Sequence, residues 1–194
     1  MNAQQLVEII RTRTSAPLRH MSPPGPNADE LKLIVEAAAA APDHGRLHPF
    51  RIMEIPADAR NALGALFEEG VKAAHEAPTE EALSRAREKA QRGPVLLVLV
   101  GCFHGADETS IPKYEQMISA GTALQNMVLV AHTLGYASRI TSGTTARSAI
   151  FHKGLGLSEN EEFLCFISLG KVDEARPAKG RQEVQEIFSV WSPE

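Results

Sequence analysis

Apolar residues recur along this chain at two spacings, and each change of spacing marks an element. Leu6, Val7, Ile9 and Ile10 stand among polar neighbours over residues 3–12, which predicts a short amphipathic helix. Pro17, Pro23, Pro24, Gly25 and Pro26 then fix an irregular loop. Asn27 and Glu30 have capping-box spacing, and Leu31, Ile34, Val35 and Ala38 predict one buried face of a second helix, ended by Pro42. Residues 50–55 alternate apolar and polar, as a half-buried strand does. Residues 57–92 read as two helices broken near Pro78. Val95 to Val100 is a continuous apolar run and predicts a strand buried on both faces.

A polar loop over residues 103–112 precedes a long helix from about Lys113 to Leu134, stopped by Gly135. Tyr136 to Thr141 reads as a strand. Ser142-Gly143-Thr144-Thr145 reads as a turn opening a helix that closes near Gly154 and Gly156. Phe163 to Leu169 is the last predicted strand. Past Gly170 the chain is polar until Ile187, Phe188, Val190 and Trp191, which need a surface to cover them, such as a partner chain. Helices and strands interleave without a repeat or linker, so one domain over residues 1–194 is expected.

Composition narrows the function classes. The net charge is −4, and nothing in it draws the surface to nucleic acid or anionic lipid. No apolar run reaches the roughly 20 residues of a membrane span. The chain does not open with a basic region and a long apolar stretch, so a cytoplasmic protein is expected. Cys102 and Cys165 both fall in strand-like segments and are expected as buried thiols.

Self-contained catalytic motifs are missing. There is no P-loop, no dinucleotide-binding glycine fingerprint and no nucleophile elbow. His44 and His48 are four apart, but Pro42, Gly45 and Pro49 make their segment a loop, and a metal site is not expected. Three segments suit an anionic cofactor better. Arg11-Thr12-Arg13-Thr14-Ser15 offers two guanidiniums and three hydroxyls at a helix end, enough to fork a phosphate and hold a polyol. A solvated helix end whose cations favour the macrodipole explains it equally well. Ala41-Pro42-Asp43-His44-Gly45-Arg46 places an imidazole and a guanidinium in a loop. Ser142 to Thr145 offers amides and hydroxyls that suit a phosphate or a flavin carbonyl, or that merely cap a helix.

Taken in order, these segments resemble one family. Residues 119–138 are similar to the central helix of FMN-dependent nitroreductases: small residues, an Asn, an aliphatic run, then Gly and an aromatic. Ala41-Pro42-Asp43-His44 and Ile111-Pro112-Lys113-Tyr114-Glu115-Gln116 resemble the minimal, YdjA-like branch. The resemblance implies an α+β fold with a central mixed sheet flanked by helices. It implies a homodimer with FMN at the interface, held by both chains. Arg13-Thr14-Ser15 matches the segment for the phosphate and ribityl chain, with Arg11 as the alternative register. His44 matches a flavin-side histidine. Ile140-Thr141-Ser142 falls where the opposite subunit contacts FMN. NADH or NADPH would reduce the flavin, and a nitroaromatic, quinone or similar small acceptor would reoxidise it in ping-pong fashion, with no catalytic acid or nucleophile from the protein. The alternative is an FMN-binding protein without turnover, for storage or regulation. Two arginines of the branch are replaced, by Ala40 and Thr141, and Arg11, Arg46 and Arg139 are the candidates to compensate.

Overall fold

The computed structural model describes residues 2–173, 177, 178 and 180–193. Strands β1 (Phe50–Glu54), β2 (Val95–Cys102), β3 (Ala137–Thr141) and β4 (Glu161–Gly170) form one sheet in the order β1-β2-β4-β3. A mixed sheet was expected, but all three neighbouring pairs are antiparallel. The reason is topological. β2 and β3 run the same way and are joined by a helical crossover, yet β4 inserts between them and opposes both. Parallel pairing survives in the isolated bridge between Ser15 and Ser138.

Helices cover both faces. On one lie α3 (Arg60–Ala74), α4 (Glu80–Glu88) and α6 (Ala149–Gly154), with Phe67, Phe151 and Phe166 stacked in the core between them and the sheet. On the other, α2 (Ala28–Ala39) and α5 (Lys113–Thr133) bury Ile34, Ala38, Ala123, Met127 and Ala131 against Leu97, Leu99 and Ile167. β2 explains its own unbroken apolar run. Leu96, Val98 and Val100 enter one core and Leu97 and Leu99 the other, so both faces must be greasy. Losing one such side chain, as in Leu97→Ala, would cost roughly 2–5 kcal/mol.

Local chemistry sets the ends of the helices. The predicted capping box at Asn27 is present, and the Glu30 carboxylate also accepts the Tyr136 hydroxyl at 2.7 Å. α5 stops where Gly135 takes a left-handed φ of 76°. Ser142–Thr145 does not open α6 directly. A 3-10 turn, Thr145–Arg147, intervenes, and Ser148 caps α6 by accepting the Phe151 amide. Cys165 is buried, which pushes its thiol up to about 12, whereas Cys102, at the end of β2, is only half-buried. Val35, expected on the buried face of α2, is exposed.

Several apolar surfaces find no cover among the described residues. α1 (Ala3–Thr12) buries no residue, and its Leu6, Val7 and Ile10 are exposed. Tyr114, Met117 and Ile118 of α5 are exposed as well. The tail, with its short helix α7 (Val184–Ile187), leaves Phe188 and Val190 in solvent and Trp191 83% exposed.

Candidate functional site

The Ser15–Ser138 bridge lays residues 13–18 alongside β3 in the same direction, tightened by the Ala16 amide donating to the Ser138 carbonyl at 3.0 Å. Arg13 caps α1 at one end of this strip. At the other end Leu18 and Thr141, each three residues past the bridge, line one cavity of about 210 Å³ with Ser142. Three strand residues span roughly 10 Å. The strip therefore links Arg13 and Ser15 to Ile140, Thr141 and Ser142 along the backbone of one chain. Thr14 is half-buried and borders a broader groove on the other flank, shared with Thr12, His132 and Tyr136.

The Arg13 end brings two arginines together. From the tail, the Arg181 guanidinium donates to the Arg13 carbonyl at 2.6 Å and to the Arg11 carbonyl at 3.4 Å, capping the last turn of α1. Burial, and then the neighbouring Arg181 charge, hold the Arg13 guanidinium below the usual arginine value. Burial and Arg13 likewise lower His132, whose Nε2 lies 3.1 Å from the Thr12 hydroxyl. Among the described residues no carboxylate pairs with Arg13 or Arg181. Cations gathered without a counter-ion, in a chain with excess acid, favour an anion arriving from outside.

His44 lies elsewhere. Its Nδ1 is 2.6 Å from the Glu115 carboxylate, in the first turn of α5, whereas His132 stands in the last turn. At about 1.5 Å per residue, α5 separates them by roughly 25 Å. The chain thus does not bring His44 to Arg13. The His44 loop is nevertheless firmly built. Gly45, Arg46 and His48 all have left-handed φ, of 75°, 56° and 51°, and the two non-glycines carry strain. The Asp43 carboxylate accepts the His48 amide at 2.8 Å, and the His104 imidazole Nε2 donates to the Leu47 carbonyl at 2.9 Å. The buried Gln116 amide ties both ends of the adjoining loop, accepting from the His104 amide and donating to the His104 and Ile111 carbonyls. His44 and His48 turn to different partners. One faces Glu115 and the other Asp43, and no cluster of three ligating side chains occurs among the described residues.

Sequence reasoning missed Arg181, Lys89 and Arg92. Arg181 lies in a polar tail where nothing in the residue pattern sets it apart. Lys89 and Arg92 both line the Thr141 cavity. In sequence they look like their neighbours Arg85 and Arg87, which spend their charge on Glu81, Glu68 and Glu80. Only the fold shows that Lys89 and Arg92 have no carboxylate among the described residues. Arg46 and Arg139, named as candidates to compensate, are exposed and do not line this cavity.

Comparison with known proteins gives one answer. Residues 10–171 match the model of the Nitroreductase family. A Haemophilus influenzae protein provisionally named an NAD(P)H nitroreductase is 30% identical over 164 residues, covering 84% of this chain and 85% of its own. YdjA of Escherichia coli, provisionally named in the same way, is 27% identical over 84% of this chain and 86% of its own. Among solved structures, a Desulfovibrio desulfuricans nitroreductase-type protein in complex with FMN superposes with a TM-score of 0.71 at 21% identity, covering 100% of this chain and 98% of that one. No helix among the described residues is long and apolar enough to cross a membrane.

Proposed function

This chain belongs to the nitroreductase family, and from that premise we propose that it is an NAD(P)H-dependent oxidoreductase that holds FMN between two copies of itself. Its relatives in the YdjA-like branch share the nitroreductase-type activity in their names. The observation that carries the cofactor assignment is the Arg13–Arg181 pair: the Arg181 guanidinium sits on the Arg13 carbonyl, close enough for its charge to add to burial in lowering the Arg13 guanidinium, and neither pairs with a carboxylate among the described residues. A doubly charged phosphate fits that donor set, and two charge-assisted forks would hold it.

From the phosphate the cofactor would follow the strip. Thr14 and Ser15 offer hydroxyls to the ribityl chain, and Ile140, Thr141 and Ser142 border the ring. His44, remote within its own chain, would reach the same flavin from a second copy. Arg181 then makes up for charge lost at Ala40 and Thr141, a role that Arg11, Arg46 and Arg139 had been candidates for.

FMN, when bound, supplies the hydride chemistry between NAD(P)H and an acceptor. The chain's own residues bind and orient. The His44 imidazole is engaged with Glu115. Donor and acceptor would share one cleft in turn, giving ping-pong kinetics, with nitroaromatics or quinones as electron sinks.

Absorbance of the purified protein, before and after adding FMN and then NADPH, tests this reading. A yellow protein that bleaches with NADPH and recovers with a quinone supports it. A protein that stays colourless in excess FMN overturns it. Colour without NADPH oxidation would leave a storage or regulatory role.

A further inference from the structure

The 210 Å³ cavity beside Thr141 has a distinct chemistry. Its floor is apolar, made by Phe67, Leu96 and Phe166, while Lys89 and Arg92 stand at its wall. We propose that this cavity selects the acceptor: it takes a planar, single-ring molecule carrying an anionic group such as a carboxylate, with the ring on the apolar floor and the anion between Lys89 and Arg92. The proposal rests on the flavin reading above and adds the substrate class to it.

Three observations support it. The first is size. Pockets that enclose drug-sized ligands span about 300–1,000 Å³, so this smaller cavity suits one ring rather than a three-ring flavin with its phosphate chain. The second is charge. Lys89 and Arg92 pair with no carboxylate among the described residues, whereas Arg85 and Arg87 just before them do. The third is placement. Lys89 opens the 3-10 turn Lys89–Gln91 and Arg92 closes it as its cap. The buried Arg60 donates to the Ala90 carbonyl at 2.8 Å within that turn, and to the Ile55 carbonyl at 3.0 Å. Gln91 donates to the Asn61 side chain at 3.0 Å, and the Lys89 ammonium lies 5.7 Å from the Phe67 ring centre. Arg60 is thus a positioning residue for the two cations.

The test uses the full chain in excess FMN, with 4-nitrobenzoate and its uncharged methyl ester as acceptors. The carboxylate should have the lower KM. Arg92→Met should raise that KM about tenfold or more, the loss expected for a charge-assisted hydrogen bond, and leave the ester unchanged. Lys89→Met should act in the same direction. Benzoate binding, followed by calorimetry, should weaken in step in both variants. The FMN dissociation constant, read from flavin fluorescence, should stay put. Equal KM values for acid and ester in the parent protein would overturn the proposal. So would a lost grip on FMN in Arg92→Met, because the cations would then belong to the cofactor. Failure of the flavin reading looks different: a colourless protein. Calorimetry with benzoate needs no flavin colour and still decides whether the cavity binds an aromatic anion.

Discussion

The two ends of α5 are built in opposite ways. At its start, Glu115 grips His44, Gln116 ties the loop above it, and His104 clamps Leu47, so a strained loop is fixed before any ligand arrives. At its finish, Arg13 and Arg181 bring two cations together with no carboxylate paired to either among the described residues, beside a His132 that burial and Arg13 hold below its ordinary value. One end is tied by its own side chains, and the other, on the proposed reading, takes the cofactor's phosphate. The helix keeps them roughly 25 Å apart, so a site that needs both must draw them from two chains. An antiparallel pair of α5 helices would set the start of one beside the finish of the other, in the isologous manner of twofold dimers. Exposed Tyr114, Met117 and Ile118, and the open space at Gly121, suit such a meeting.

The largest effect should come from removing the apolar surface that the proposed dimer would cover. Deleting residues from Ile187 onward takes away Phe188, Val190 and Trp191, all largely exposed in the single chain. Light scattering should then report monomers, and the flavin should wash out on gel filtration. A flavin-loaded monomer would break the two-chain argument.

Next come the phosphate cations. Arg13→Ala and Arg181→Ala should each weaken FMN about ten- to a hundredfold, the effect of roughly 1.5–3 kcal/mol from a charge-assisted bond. Hybrids sharpen the comparison. Mixing Arg13→Ala chains with His44→Ala chains should restore one intact site per hybrid dimer, with parent-like affinity at half the stoichiometry. If both residues served the same chain's flavin, every hybrid site would carry one lesion and no tight site would return.

The sequence foretold most of the scaffold, because its elements obey local rules. The Asn27 capping box, the Gly135 stop and the unbroken run of β2 each follow from a few adjacent residues. Topology was less legible. Nothing in Phe163–Leu169 says that this last strand slips between β2 and β3, and that insertion is what turns the sheet antiparallel. The candidate site was legible in its segments and not in their grouping. Arg13 and Ser15 join Thr141 through a backbone bridge, which no side-chain pattern records. Lys89, Arg92 and Arg181 stayed hidden because a free cation and a paired one look the same until the carboxylates are placed.

A smaller effect tests the foundation of the α5 start. Arg51 forks Glu161 with bonds of 2.5 and 3.0 Å, tying β1 to β4 below the His44 loop. The hydrogen-bonded Arg51 guanidinium, then the Ser158 amide, hold the Glu161 carboxyl down to about 2. Its ionised form therefore stabilises the fold fully above the ordinary glutamate value of about 4.3, and that contribution fades as pH falls toward 2. Glu161→Gln should melt below the parent protein at neutral pH, and the gap should close on acidification through that window. A gap of constant size would mean that shape, not charge, matters at this position.

The smallest effect belongs to the His44–Glu115 pair, and it separates two roles for the imidazole. The side chains are 67% and 32% exposed, so their attraction is screened and worth about 0.2–1 kcal/mol. Glu115→Gln keeps a carbonyl oxygen facing Nδ1 and removes only the charge. It should weaken FMN no more than about two- to fivefold, and the left-handed loop should hold, since Asp43, His104 and Gln116 still clamp it. His44→Ala would also remove the proposed contact to the partner's flavin, so it should weaken FMN somewhat more and shift the flavin's absorbance bands. In both variants turnover at saturating FMN should stay within a few-fold of the parent if, as proposed, the protein supplies no acid to hydride transfer. A general acid behaves otherwise: its removal costs about a hundred- to ten-thousandfold in rate while cofactor affinity hardly moves. That outcome in His44→Ala would make the firmly held loop at the start of α5 a device for delivering protons, and not merely a wall for the flavin.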